Sequence, residues 1–271
     1  MKINSAALLY FSPTKTTKKV IKSIANGFGI KDPRHIDLTY PRGRKDPNLD
    51  IKEDILIVGM PVYEERIPSF ILPYLEQLQG HQQPVIAVAV YGNVGFGIVL
   101  KQFQNILPKK GFHLAAGAAF IAEHSFTHKN LCIAQGKPDT RDLDLAYNFG
   151  VKVNDVLNSH SDLENIKPPR FPGHLPPSAI VLPENSSRLF TELPELDPLK
   201  CDQCLACVNM CPMGAISPKD LKIDPEKCIR CFACVRTCPQ NAREIKLKRS
   251  WVVQTFLSAA KRKIKEPYFS L

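Results

Sequence analysis

Eight of the nine cysteines in this 271-residue chain follow one pattern that occurs twice. Each copy reads Cys-x2-Cys-x2-Cys-x3-Cys-Pro, and each cysteine of the second copy lies 27 positions after its counterpart in the first. Three thiolates on one tight loop can grip three irons of a cubane, whereas a Cys-Pro that opens a short helix points its thiolate away. The pattern therefore predicts two [4Fe–4S] clusters.

Since the fourth cysteine of each copy points away, we expect it to ligate the other cluster. The two predicted ligand sets are Cys201, Cys204, Cys207 and Cys238 for one cluster, and Cys228, Cys231, Cys234 and Cys211 for the other. Zinc sites use four ligands in pairs rather than a triplet with a Cys-Pro. A disulfide framework is typical of small secreted chains in an oxidising compartment. Both alternatives fit the spacing less well.

The segment from about Leu199 to Ala242 resembles the two-cluster bacterial ferredoxins. This resemblance implies a small α+β ferredoxin domain with two [4Fe–4S] clusters, which we expect over residues 199–245.

The ninth cysteine, Cys132, has no partner at this spacing. We expect it to be a small buried residue.

Apolar runs alternate with helical patterns over residues 1–160, which predicts a parallel sheet covered by helices on both faces. The predicted strands are Ser5–Ser12, Arg34–Thr39, Asp54–Gly59, Pro84–Tyr91 and His113–Glu123. The predicted helices lie around Val20–Ala25 and over Pro68–Leu78, Ile98–Leu107 and Asp139–Asn158. In such a sheet the ligand site lies at the carboxyl ends of the strands.

The loop after the first predicted strand is rich in hydroxyl groups. Ser12, Thr14, Thr16 and Thr17 flank the start of a helix, whose free N–H groups favour an anion. The loop lacks the lysine pattern of a P-loop and therefore predicts a metal-independent phosphate cradle. The plainer interpretation is that Thr14 caps the helix.

This loop resembles the Ser-x-Thr-x-x-Thr loop with which flavodoxins bind the phosphate of FMN. Ser12, Thr14 and Thr17 match that pattern, whereas Lys15 stands where flavodoxins usually have glycine. Lys15 either pairs with the phosphate or strains the loop and weakens binding. The resemblance implies FMN as a cofactor and a flavodoxin-like, doubly wound, five-stranded parallel sheet.

In flavodoxins the loops after the third and fourth strands hold the flavin ring. The corresponding candidates in this chain are Pro61, Val62, Tyr63, Tyr91, Gly92, Asn93 and Gly95. Tyr63 either stacks on the ring or lies on the surface, and the two glycines either admit a ligand or permit a turn. His124, after the fifth strand, is either a proton donor near the flavin or a histidine satisfied by its neighbours.

Eight prolines lie between Ile166 and Leu199, which excludes a helix and favours extended chain. We expect residues 161–198 to form a proline-rich linker that runs over the protein surface between the two domains. We expect residues 246–271 to form a basic C-terminal helix or tail. This tail either binds a membrane surface or an acidic partner, or packs on its own protein.

The formal net charge of +10 counts every cysteine as neutral. Two cubanes and one FMN would lower this charge to about +4, which still favours acidic redox partners. No nucleic-acid motif is present, and no apolar run is long enough to span a membrane. Thiolate-ligated iron suits a reducing cytoplasm, where we expect the protein to lie.

Over nearly its full length the chain resembles the fused flavodoxin–ferredoxin proteins of anaerobic prokaryotes. This resemblance implies intracellular electron transfer between two [4Fe–4S] clusters and FMN. One rival function is that of an FMN-dependent reductase fed by its clusters, with His124 or Tyr63 as proton donor. Another is that of a docking or assembly subunit that has lost FMN.

Overall fold

The structure is a computed structural model that describes residues 1–173, 175 and 183–271. Part of the predicted linker lies outside the described residues, as do the side chains of Phe256 and Ala259. The linker residues in question include Pro176, Pro177, Ile180, Val181 and Leu182.

A six-stranded sheet forms the centre of the molecule. Its strands are β1 (Ala6–Tyr10), β2 (Arg34–Asp37), β3 (Ile55–Pro61), β4 (Pro84–Tyr91), β5 (His113–Ile121) and β6 (Tyr268–Ser270). The order is β2-β1-β3-β4-β5-β6, and the first five strands pair in parallel. The order 2-1-3-4-5 defines the flavodoxin-like doubly wound fold, so the predicted fold class is confirmed.

The sixth strand adds to the predicted five. β6 comes from the C-terminal tail and pairs antiparallel to the edge strand β5, with Tyr268 opposite Ala119. It covers a sheet edge whose N–H and C=O groups would otherwise be unpaired.

Five helices accompany the sheet: α1 (Thr16–Gly27), α2 (Pro41–Lys45), α3 (Leu72–Leu75), α4 (Val99–Ile106) and α5 (Thr140–Ser159). The predicted helix over Pro68–Leu78 is shorter in the structure, where a 3-10 turn precedes α3 and Pro73 occupies its first turn. α5 begins at a capping box between Asp139 and Asp142.

α1 and α5 pack closely on one face of the sheet because glycine lies at their contact. A Cβ at Gly150 would lie 2.1 Å from the carbonyl oxygen of Ile24. Behind these helices the core contains residues such as Leu8, Val88 and Phe120, all fully buried. A second core on the opposite face contains Phe11, Val58 and Phe103.

The linker contains one short helix, α6 (Ser187–Phe190), so the expectation that the prolines exclude a helix is wrong there, because no proline lies between Pro183 and Pro194. The cysteine-rich segment and the tail contain the short helices α7 (Ala206–Asn209), α8 (Ala233–Arg236), α9 (Ser250–Phe256) and α10 (Ser258–Arg262). The two cysteine copies share their backbone conformation. Positive φ angles recur at three pairs of positions 27 residues apart, which are Gln203 and Arg230, Leu205 and Phe232, and Gly214 and Asn241. The sequence repeat is thus also a structural repeat.

The described part of the linker takes part in this cysteine-rich module. Thr191 pairs with Leu247, and Leu196 pairs with Arg243, both antiparallel. In the first copy the equivalent closure is the pairing of Ile216 with Ile223. The linker therefore supplies backbone partners to the second half of the module.

The module is docked directly on the sheet domain. Arg236 of α8 forms an ion pair with Glu123 and donates to the carbonyl oxygen of Thr127 at 2.8 Å. Arg44 of α2 donates to the carbonyl oxygen of Pro212 at 2.5 Å. These contacts fix the module near the carboxyl ends of β2 and β5.

The tail packs on its own protein. A third apolar cluster contains Val253, Leu257 and Ala260 of the tail, Phe126 of the sheet domain and Phe232 of the cysteine-rich module. This cluster joins the tail to the other two. Trp251 is 71% exposed. None of the helices in the described residues has the length and apolar character needed to cross a bilayer.

Candidate functional site

Four cysteines from both copies line one small cavity, which we call the cysteine cavity. They are Cys211, Cys228, Cys231 and Cys234. The set is the one predicted for the second cluster, with Cys211 contributed by the first copy. The arrangement supports crossed ligation, and the ligand assignment stays a prediction.

The thiols of this set crowd one another. Burial raises the pKa of Cys234 to about 12. The positive charge of Arg243 lowers this pKa, and the neighbouring thiols Cys228, Cys211 and Cys207 raise it. Burial also raises the pKa of Cys231, with Cys234, Cys211 and Cys228 contributing in the same direction. Because each neighbouring negative charge disfavours a thiolate, the bare site is electrostatically costly, and positively charged iron would offset that cost.

Backbone N–H groups point at the fourth sulfur of each copy. Ala215 donates to Cys211 Sγ, and Ala242 donates to Cys238 Sγ, both at 3.2 Å. Hydrogen bonds to sulfur are one of the factors that set the reduction potential of an iron–sulfur cluster.

Within the described residues, no three Cys, His, Asp or Glu side chains gather closely enough to hold a single metal ion.

The two predicted ligand sets differ in exposure. Cys204, in the first set, is exposed. Cys234 of the second set is buried, and Cys231 packs against the apolar core of the sheet domain. Cys204 therefore gives the first set a solvent-exposed member, whereas the second set contacts the sheet domain through Cys231. The ninth cysteine, Cys132, is exposed rather than buried as expected, because it lies in the loop after β5.

The hydroxyl-rich loop lies between β1 and α1, as predicted. Ser12 Oγ accepts a hydrogen bond from the N–H of Lys18 at 3.1 Å, and Thr14 and Thr16 lie 3.4 Å apart through their hydroxyl oxygens. Thr17 is 1% exposed, and its Oγ1 has no hydrogen-bond partner within the described residues. A buried hydroxyl without a partner at a helix start fits a phosphate oxygen.

Lys15 adopts a left-handed conformation, with φ 65° and ψ 0°. Glycine adopts this conformation at no steric cost, whereas lysine does not. The Lys15 side chain is exposed, and the residue does not line the cavity beside the loop. Of the two interpretations of Lys15, the geometry favours local strain over a phosphate contact.

A cavity of about 320 Å³, which we call the loop cavity, brings together nine of the predicted FMN-binding residues. They are Ser12, Thr14, Thr16, Thr17, Pro61, Val62, Tyr63, Tyr91 and Gly92. A second cavity of about 470 Å³, which we call the junction cavity, lies between the sheet domain and the cysteine-rich module and includes Gly95. The residues that line both cavities are Val62, Tyr63, Gly92, His124, Ser125 and Cys231.

Asn93 lines neither cavity. It is fully buried at φ 64°, and its side-chain amide donates to the carbonyl oxygens of Ala260 and Lys263 at 2.7 and 2.9 Å. Its side-chain oxygen accepts from the N–H of Lys265 at 2.8 Å. The Asn93 side chain therefore holds the C-terminal tail, and its backbone alone is left for a cofactor.

His124 lines both cavities and is held by its neighbours. Its Nδ1 accepts from the N–H of Phe126 at 3.0 Å, which leaves the proton of the neutral ring on Nε2. Burial, and then the positive charge of Arg236, lower the pKa of His124 to about 4. At neutral pH the ring is therefore uncharged.

Sequence reasoning missed two strained residues and one buried cation beside the junction cavity. Glu64 and Glu65 form a tight turn with φ angles of 47° and 64°. Burial raises the pKa of each carboxyl group above its usual value. Arg230, next to Cys231, also lines this cavity. No sequence motif marks Glu64, Glu65 and Arg230, because these residues come from distant segments that form the cavity only in the folded chain.

Two parts of the chain are similar to known proteins. Residues 200–242 match the family model described as "4Fe-4S dicluster domain". A flavodoxin from the domain Archaea is 14% identical, with 57% of this chain and 99% of that chain covered and a TM-score of 0.42. Flavodoxin 2 from Bacillus cereus is 15% identical, with 56% and 99% covered and a TM-score of 0.42.

Rubredoxin oxygen:oxidoreductase from the anaerobe Desulfovibrio gigas is 16% identical, with 58% of this chain and 36% of that chain covered and a TM-score of 0.40. No curated protein matches the sequence. Strand order, rather than these distant likenesses, defines the fold of the sheet domain. The chain joins a flavodoxin-like α/β domain to a 4Fe–4S dicluster domain, and this combination supports a redox role.

Proposed function

We propose that this protein is a cytoplasmic electron-transfer protein that holds two [4Fe–4S] clusters and one FMN. The observation that carries the proposal is the position of Cys231. This predicted cluster ligand lines the cysteine cavity, the loop cavity and the junction cavity. A cluster held there would lie directly beside the site that fits a flavin.

The residues fit both kinds of cofactor. Thr17 and its neighbouring hydroxyls would hold the FMN phosphate at the start of α1, and Tyr63 and Gly92 would border the ring. FMN exchanges electrons singly or in pairs and a cubane exchanges them singly, so the two together can link carriers of either kind.

Differences in exposure support an order of the cofactor sites, from the surface to the FMN site. The first ligand set includes the exposed Cys204, and Leu199, two positions before Cys201, is 96% exposed. This surface would receive a redox partner protein, and the modestly basic chain favours an acidic one. The second ligand set would lie inward, beside the FMN site, which it adjoins through Cys231. The docking contacts of Arg236 and Arg44 would keep the module in this position on the sheet domain.

The reductase alternative needs a proton donor beside the ring. His124, with its pKa lowered to about 4, carries no imidazolium proton at neutral pH. Burial raises the pKa of Tyr63 well above its usual value, with Cys231 adding to the shift, so its phenol is a weaker acid than usual. These two groups favour an electron carrier over a substrate-converting reductase.

FMN titration of deflavinated, cluster-containing protein tests the proposal. We expect saturable binding at one FMN per chain. Thr17→Val removes the unpartnered hydroxyl without a change of shape and should weaken binding by about 1–3 kcal/mol. Thr255→Val, at an exposed tail position, is the matched control and should leave the affinity unchanged. Absence of saturable FMN binding with both clusters intact would favour the docking subunit.

A further inference from the structure

The two cysteine copies differ in charge at equivalent positions. The second copy has Arg230 and Arg243 where the first, 27 positions earlier, has Gln203 and Ile216. Since the two copies share their backbone conformation, the second carries positive charge at places where the first is uncharged. The repeat is therefore an internal comparison in which the fold is constant and the charge varies.

Both arginines are buried, so water screens their charges only weakly. Arg243 is 4% exposed, and Arg230 is 7% exposed. Arg243 donates to the carbonyl oxygens of Pro194 and Leu221 at 2.7 and 2.5 Å, which holds its guanidinium in place inside the module. Because these acceptors are uncharged carbonyl groups, the full positive charge of Arg243 remains.

The charges of both arginines lie beside the second ligand set. The positive charge of Arg243 lowers the pKa of Cys234, against the effect of burial. Arg230 directly precedes Cys231 in the chain, and both residues line the junction cavity. Two members of the second set therefore each have a buried guanidinium nearby.

The first ligand set has an acidic neighbour instead. Asp202 accepts hydrogen bonds from the N–H of Cys204 at 3.2 Å and from the side-chain amide of Gln240 at 3.1 Å. The equivalent residue of the second copy is the uncharged Ile229. A carboxylate held beside a cluster ligand disfavours added negative charge, so the two sets have surroundings of opposite charge.

These charges act on the reduction of a cluster, because reduction adds one negative charge to it. The reduction potential depends on net charge and on solvent exposure. Burial of the second set acts against its arginines, since dry surroundings disfavour an added charge. The same burial leaves the two arginine charges almost unscreened, so we expect them to outweigh it.

We propose that the second cluster, ligated by Cys228, Cys231, Cys234 and Cys211, has a higher reduction potential than the first. One electron accepted by the first cluster would pass to the second, so that the first is reoxidised as the second is reduced. The electron would then rest beside the FMN site. This inference rests on the proposed function and deepens it, because it gives the electron a direction from the surface inward.

An anaerobic redox titration with dithionite, followed by EPR spectroscopy, tests the proposal. We expect two one-electron midpoints per chain. Arg243→Ile introduces the residue of the first copy and should lower the higher midpoint by about tenfold in the reduction equilibrium, or about 59 mV. Arg243→Lys keeps the charge and should shift this midpoint less. Lys152→Met, at an exposed position of α5, is the matched control and should move neither midpoint.

Asp202→Asn is the second test, and it decides the matter alone if Arg243→Ile loses iron. The position is exposed, and the change keeps the shape of the side chain while it removes the charge. It should raise the lower midpoint by about two- to fivefold in the reduction equilibrium and leave the higher one unchanged.

The assignment of the midpoints decides the outcome. The proposal would be overturned if Arg243→Ile moved the lower midpoint alone or neither, or if Asp202→Asn moved the higher midpoint alone or neither. Iron and sulfide analysis of the same samples separates the two ways of failing. Two intact clusters with the reverse order would refute only the direction, whereas a chain that cannot hold two clusters would refute the proposed function as well.

Discussion

Replacement of Lys15 by glycine separates backbone strain from a direct role in phosphate binding. Lys15 has φ 65°, in the left-handed region that glycine adopts at no steric cost. A left-handed residue other than glycine costs about 1–2 kcal/mol. The greater freedom of glycine in the unfolded chain costs about 0.5–1 kcal/mol.

The net effect of Lys15→Gly is therefore a stabilisation of about 0–1.5 kcal/mol, or an increase of up to about 6 °C in Tm for a chain of this size. Lys15→Ala removes the same charge but keeps a Cβ at positive φ, so it should not raise the Tm. Thermal unfolding under anaerobic conditions, followed by far-ultraviolet circular dichroism, measures both variants.

FMN titration of the two variants completes the test. If Lys15 only strains the loop, neither variant should bind FMN more weakly, because no phosphate contact is lost, and Lys15→Gly should bind FMN more tightly. A lower Tm for Lys15→Gly would refute the strain argument. Weaker FMN binding by both variants would show instead that the lysine charge contacts the phosphate.

Two further predictions concern the cysteines and His124. Cys211→Ala should damage the cluster held by Cys228, Cys231 and Cys234, and EPR spectra of the reduced variant that show selective loss of the other cluster would contradict crossed ligation. The folded-state pKa of His124, about 4, lies below its usual 6.5, so its contribution to stability is full above pH 6.5 and is lost as the pH falls toward 4. A shift from pH 7.5 to 5.5 should therefore cost about 1 kcal/mol through this group, and the pH dependence of the Tm should be flatter in His124→Gln.

Local patterns account for what could be predicted from the sequence. Cysteine spacing and proline placement depend on a few neighbouring residues, and apolar runs such as Ile55–Pro61 mark strands buried on both faces. The hydroxyl loop was recognisable for the same reason, because Ser12 to Thr17 form one short segment at a helix start.

Contacts between distant segments could not be predicted. Asn93 holds backbone groups of Ala260, Lys263 and Lys265, so its role depends on a tail about 170 positions away. β6 has three residues, too few for a periodic pattern. Arg230 looks like an ordinary surface arginine until the linker and tail enclose it.

The cofactor content of anaerobically purified protein tests the central claim most directly. Iron, acid-labile sulfide and flavin should be measured on one sample against the protein concentration. The account predicts about eight irons, eight sulfides and one FMN per chain. Stoichiometric zinc without sulfide would contradict the cluster assignment, and a full complement of iron and sulfide in protein that cannot be loaded with FMN would contradict the flavin site.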